Sequence, residues 1–152
     1  MTETLQVDHD LVLTVVDQVW ETLLASPAIP WPGAEPSDPG GLLAQIALTG
    51  DWNGVVRLTC DDATAERIAG RMLQVRDDEE LLPEDVHDAV GEVVNVVGGN
   101  VKGALGGDTS LGLPQVRRGP LTAPPPAATR CVLDWEGSPV VVEVLPAEPA
   151  TA

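Results

Sequence analysis

The chain has 152 residues, enough for one domain with its own core, and 43% of them are hydrophobic. A formal net charge of −16 excludes the clustered Lys and Arg that nucleic acid or an anionic membrane surface requires. Aromatic residues make up 3%, all of them tryptophan, so the core must be built from Val, Leu, Ala and Ile.

From the amino end, Val7–Ala25 places Leu11, Val12, Val15, Val16, Val19, Leu23 and Leu24 at helical spacing. Asp8 and Asp10 stand at the start, where carboxylates suit the helix dipole. A first helix is predicted, with Trp20 packed beside its apolar stripe. Five prolines between Ser26 and Gly41 preclude a helix or a central strand. Trp31, between two of them, is expected to cover the core edge. Leu42–Thr49 and Gly54–Cys60 predict a hairpin about Gly50-Asp51-Trp52-Asn53, with Val56 and Leu58 alternating against Val55 and Arg57. Asp61 and Asp62 offer caps to a shorter helix, Ala63–Leu73, with Ile68, Ala69 and Met72 inward.

An acidic turn, Asp77–Glu80, leads to Pro83 at a helix's first position, with Glu84 and Asp85 in the first turn. Gly106-Gly107 ends that helix. Ser110–Arg117 predicts a third strand, which Pro114 places at an edge or a bulge. A second proline-rich loop, Gly119–Pro126, precedes a closing hairpin of Thr129–Trp135 and Pro139–Leu145 over Glu136-Gly137-Ser138. Residues 1–145 read as one domain and 146–152 as a flexible tail. No sequence repeat is evident. The element order α-β-β-α-α-β-β-β predicts an α+β fold: a mostly antiparallel sheet with two long helices and one short helix packed on it.

Cys60 and Cys131 lie in different predicted strands at no metal or redox spacing, and read as reduced, buried thiols. No cationic stretch leads an apolar run at the start, and no apolar segment approaches the roughly 20 residues of a membrane helix. A cytoplasmic protein is the expectation.

Pro83–Leu105 is the stretch with the most chemistry in it. With Val90 at zero and about 100° per residue, Val86, Val93, Val94, Val97, Val101, Ala104 and Leu105 fall within roughly 60° and form a buried stripe. Glu84, Asp85, Asp88, Glu92, Asn95, Gly99, Lys102 and Gly103 fall opposite. Glu92 and Asn95 are an i,i+3 pair, neighbours about 5–6 Å apart at Cβ. Asp88 lies one turn before Glu92, and Gly99 one turn after Asn95, where it cuts the surface low. Gly91, Gly98, Gly99 and Gly103 each cost a helix roughly 0.5–1 kcal/mol relative to Ala, which calls for close approach by a partner or another helix.

The run from Asp88 through Glu92, Asn95 and Asn100 to Lys102 resembles the signature of the CheC/CheX-type chemotaxis phosphatases: an acidic or Ser residue, three positions, Glu, two positions, Asn, and later a Pro. The flanks agree: Trp52-Asn53-Gly54 leads a strand, Met72 ends a short helix, and Leu113-Pro114-Gln115-Val116 resembles the downstream Pro segment. Pro114 follows Asn95 at a shorter spacing than the family pattern. A single copy of the motif is similar to the one-site CheX type. The resemblance implies a phosphatase that stimulates dephosphorylation of the phospho-aspartate of a CheY-like response-regulator receiver domain. In that reading Asn95 positions the attacking water and Glu92 docks a lysine of the receiver. Asp88, Gly99 and Lys102 are the further partner-binding candidates. No cofactor or metal of the chain's own is expected, since the receiver brings Mg²⁺. Members of the CheX type pair as homodimers through their sheet edges.

Three rival readings stand beside this one. A receiver-binding module without catalysis would carry the same surface. A nucleotide-binding enzyme is prompted by GGNVKGALGGD, but no GxxxxGK[ST] occurs, and these glycines lie within and after a helix rather than before one. A metal hydrolase would need His9 and His87, which are far apart; His87 falls at the stripe's margin, as a partly packed or solvated imidazole.

Overall fold

The computed structural model describes residues 7–36, 40–75, 80–118 and 128–147. Helix α1 is His9–Leu24, followed by β1, Ile29–Pro30, then β2, Leu42–Gly50, β3, Gly54–Cys60, and α2, Asp62–Leu73. Helix α3 is Pro83–Leu105, followed by β4, Thr109–Leu111, β5, Gln115–Arg118, β6, Thr129–Trp135, and β7, Ser138–Pro146. The architecture is α+β, as expected: every strand pairing is antiparallel.

Local chemistry sets the helix ends. The Asp8 carboxylate accepts the Leu11 N–H at 2.8 Å, and Asp61 accepts the Thr64 N–H at 2.7 Å. Such caps stabilise a helix by about 1 kcal/mol each. At α3, Pro83 occupies the first turn and the Asp85 carboxylate accepts the Leu82 N–H at 3.1 Å. Ala25 closes α1 in the left-handed conformation, at φ 50°.

Three expectations change in detail. The proline-rich connection, expected to hold no helix or central strand, carries a short edge strand: Ile29 and Pro30 pair with Asp134 and Leu133, and the Trp31 N–H continues the contact to the Val132 carbonyl at 2.9 Å. The predicted third strand is two, β4 and β5, interrupted at Gly112–Pro114, and both lie along β2. The break falls where Pro114 has no N–H to donate. β7 also runs on through Pro146, and the Ala147 N–H bonds to the Asn53 carbonyl at 2.8 Å, so the start of the expected tail is tied to the first hairpin. Residues 148–152 of that tail, the loop at 119–126 and most of the acidic turn lie outside the described residues.

The sheet order is β1-β6-β7-β3-β2-β4, with β5 beside β4 on β2. It is palindromic. Each half of the chain supplies a helix and then three strands, counting β4 and β5 as one. β1 of the first half borders β6 of the second, β4–β5 of the second borders β2 of the first, and β3 and β7 meet at the centre. The chain is thus a structural repeat with a pseudo-twofold order that no sequence similarity announces.

One sheet face carries the helices. Leu42, Ala44, Ile46, Leu48, Val56, Leu58, Cys131, Leu133, Val140, Val142 and Val144 point into a core shared with Val12, Val16, Trp20, Ile68, Val90, Val94 and Val97. Met72 packs half-buried against it. The far face is also closed over part of its area: Leu43, Arg57, Thr59, Val141 and Glu143 are all buried. There Glu143 accepts from Arg57 Nε at 3.0 Å and from Arg130 Nη1 at 3.2 Å.

Candidate functional site

α3 is the helix on which the candidate residues stand. Its buried side carries Val86, Val90, Val93, Val94, Val97 and Val101, each worth roughly 1.5–3 kcal/mol when buried. That exceeds the cost of its four glycines, at about 0.5–1 kcal/mol each. The helix therefore holds a fixed rotation, and its opposite side is presented to solvent.

Asp88, Glu92 and Lys102 are exposed, while Asn95 and Gly99 are half-buried. Among the described residues no hydrogen bond or ion pair engages the side chains of Asp88, Glu92, Asn95 or Lys102. Asn100 differs: its amide donates to the Val96 carbonyl at 2.8 Å and is spent on its own helix. Lys102 stands two turns beyond Asn95, about 10 Å along the axis. Ala104 is exposed rather than buried. In the last turn Leu105 is in the core, while residues 102–104 are exposed.

Two of the helix glycines serve the protein's own sheet. A side chain at Gly98 would place its Cβ 2.7 Å from Ile46 Cγ2 and 3.1 Å from Leu111 Cδ1. At Gly91 it would meet Val116 Cγ2 at 3.4 Å and Pro114 Cβ at 3.7 Å. The close approach expected from a partner or another helix is made at these two positions by β2 and the β4–β5 segment. Gly99 is different: its nearest neighbour would be Leu111 Cδ2 at 3.9 Å, and Gly103 has nothing within 4 Å.

These contacts give the site its walls. On one side the segment from Leu111 to Val116 runs along α3, from the level of Gly98 back to that of Gly91. The shortened connection to Pro114 thus still brings that proline onto the helix. On the other side α1 approaches, and Asp17, Gln18, Val19, Glu21, Thr22, Val96 and Asn100 line a groove of about 490 Å³. Glu92 and Asn95 lie on the strip between. The α1 groove and the β4–β5 wall escaped the sequence reading, since only tertiary pairing brings them beside α3.

The flanking residues of the signature hold the frame. The Asn53 side chain closes its turn by accepting the Gly50 N–H at 3.1 Å and donating to the Gly50 carbonyl at 2.9 Å. Gly54 leaves room for the Trp52 ring, which is buried. Asp51 reaches across to the end of α3 and accepts the Asp108 N–H at 2.7 Å.

The other candidates fall outside the strip. Cys60 and Cys131 are free and buried, and burial pushes their thiols up to about 12 and about 11. His87 is half-buried beside Asp62, Glu66 and Arg118 around a small polar hollow. His9 opens α1, and its carbonyl faces the Cys131 Sγ at 3.9 Å. No group of three or more His, Cys, Asp or Glu among the described residues is placed to hold a metal ion. No helix among them is long and apolar enough to cross a membrane.

The family model described as Chemotaxis phosphatase CheX matches residues 42–134, more than half of the chain. No curated protein sequence matches. Among solved structures, a chemotaxis protein CheX from Desulfovibrio desulfuricans is 24% identical, with a TM-score of 0.73 over 91% of this chain and 97% of the other. A CheX from Vibrio vulnificus is 21% identical, with a TM-score of 0.75 over 96% and 100%. The CheX of a CheX–CheY–BeF3–Mg2+ complex from Borrelia burgdorferi is 19% identical, with a TM-score of 0.71 over 94% and 100%. At these identities the structures speak for the fold.

Proposed function

The chain belongs to the CheX family of chemotaxis phosphatases, and we propose that it stimulates hydrolysis of the aspartyl phosphate on a CheY-like receiver domain, with α3 entering the receiver's active-site cleft. One observation carries the reading. Glu92, exposed, and Asn95, half-buried, stand side by side on the face of α3 away from its valines, and no hydrogen bond or ion pair among the described residues engages either side chain.

An aspartyl phosphate is an activated acyl phosphate. Its hydrolysis needs a water in line behind phosphorus; the water oxygen bonds to phosphorus, the acyl P–O bond breaks, and the receiver's carboxylate leaves. The products are the free Asp carboxylate and inorganic phosphate, which takes both of the water's protons before it equilibrates with solvent. Catalysis of such a transfer is mostly positioning and charge stabilisation. The Asn95 amide both donates and accepts hydrogen bonds and does not titrate, so it can hold the water without adding negative charge beside the phosphoryl group. Glu92, about 5–6 Å away at Cβ, meets the ammonium of a receiver lysine. Asp88 and Lys102 extend the contact along the helix, and Gly99 lets the partner's backbone come close. The receiver would supply the Mg²⁺, whose charge would offset the negative charge of the phosphoryl group.

A second copy joining at a sheet edge would use β5, since β1 has two residues and one of them is Pro30. The reading without catalysis is separated by two assays run together: binding to a beryllofluoride-loaded receiver, and loss of phosphate from a phosphorylated one. The proposal expects both. Binding with no acceleration of phosphate loss would make the chain an interaction module.

A further inference from the structure

Leu113 is 86% exposed, against 55% for Leu82, 52% for Ile29 and 50% for Leu73, the other large hydrophobic side chains left open among the described residues. It does not ride on a loose tip. The Gly112 N–H bonds to the Ala47 carbonyl at 2.8 Å, and Gln115 pairs with Gln45 in the sheet. Pro114 between them has a fixed φ and rests on α3 at Gly91. The backbone on both sides of Leu113 is thus pinned, and the side chain is left pointing to solvent.

Its place follows from the same contacts. Leu111 packs at Gly98 and Gly99, and Pro114 and Val116 pack at Gly91. Leu113 is therefore level with the turn that holds Glu92 and Asn95, on the Asn95 side, since Gly91, Gly98 and Asn95 share that flank of the helix at about 100° per residue. A body that docks over this flank of α3 meets this leucine. Leu111, Pro114 and Val116 of the same segment are spent on α3, so Leu113 is the apolar side chain this segment leaves for a partner.

We propose that Leu113 is an apolar anchor for the receiver domain, seated on apolar surface at the rim of the receiver's phosphorylated cleft, and that it sets affinity and choice of receiver rather than the chemistry. This rests on the phosphatase reading for its partner. The anchor acts through ground-state binding shared with the transition state, so its loss raises KM and leaves kcat unchanged. Burial of one leucine on a partner corresponds to roughly tenfold or more in affinity.

The test compares wild type, Leu113→Ser and Leu113→Asp on a phosphorylated receiver, with Asn95→Ala as the catalytic control. The expected result is a KM raised roughly tenfold or more in both Leu113 variants, with kcat within about twofold and the same melting temperature. An unchanged KM in both variants, while Asn95→Ala loses kcat, overturns the anchor and leaves the phosphatase reading standing. If wild type accelerates nothing, the phosphatase reading falls, and direct titration with the beryllofluoride-loaded receiver decides. Binding weakened in Leu113→Ser supports the anchor; binding unchanged or absent in wild type overturns it.

Discussion

Gly98 and Gly103 sit on the same helix and answer to different forces. At Gly98 an added Cβ would press on Ile46 at 2.7 Å inside the core, whereas at Gly103 it would meet open space. Gly98→Ala is expected to destabilise the fold by about 1 kcal/mol or more, overpacking outweighing the gain in helix propensity. Gly103→Ala is expected to stabilise it by about 0.5–1 kcal/mol. Urea unfolding of the pair reads both signs. The sequence shows all four glycines alike, because helical periodicity gives angle but not neighbour. The same limit explains Ala104: its angle lies within the valine stripe, yet it is exposed while Leu105 beside it is buried. For Glu92 angle was sufficient; Asn95 also turns away from the valines, but it is half-buried, which angle alone does not give.

Among elements, α3 was legible end to end. Pro83 and Gly106-Gly107 are local signals, and local signals travel with the sequence. β1 was not, since a strand of Ile29 and Pro30 exists only through its pairing with β6. The ion cluster on the far sheet face was equally silent. Alternation in β3 assigned Arg57 to the face away from the helices, but not its burial against Glu143. Glu143→Ala would remove the buried carboxylate that both Arg57 and Arg130 meet, and a loss of stability is expected in equilibrium unfolding. The β6–β7 hairpin gives a pH signature. Glu136, in its turn, is held below the ordinary carboxylate value of 4.5 chiefly by the hydrogen bond from Arg71, with desolvation opposing and Ser26 and Arg67 assisting. Arg67 and Arg71 also lie over the Trp135 ring, at 4.8 and 5.6 Å from its centroid. Because the folded state binds the Glu136 proton more weakly than the unfolded chain, this contribution is whole above 4.5 and is lost as pH falls through the lowered value. Thermal melts of Glu136→Gln should therefore show a shallower loss of stability on acidification than wild type.

For the whole molecule, the palindromic sheet explains why one helix is free to carry a site. α1 and α3 occupy corresponding places in the two halves, and both lay their apolar sides on the sheet. α3 presents Glu92 and Asn95, and α1 presents Asp17, Gln18 and Glu21 along the groove beside them. The α+β class, the hairpins and the adjacency of Glu92 and Asn95 away from the valine stripe were readable because each depends on local pattern; that Asn95 is half-buried was not. The repeat, the split edge strand and the walls of the site arise from contacts distant in sequence. Together they hold α3 as a rigid carrier for Asn95, and the central claim is the proposal that its amide positions the attacking water. The most direct measurement is the decay of aspartyl phosphate on a receiver domain, followed with saturating wild type, Glu92→Ala or Asn95→Ala. Wild type should accelerate the decay, and Asn95→Ala should lose the acceleration by roughly hundredfold while its melting curve is unchanged. Glu92→Ala should lose most of it. An Asn95→Ala protein that clears phosphate as fast as wild type would contradict the account.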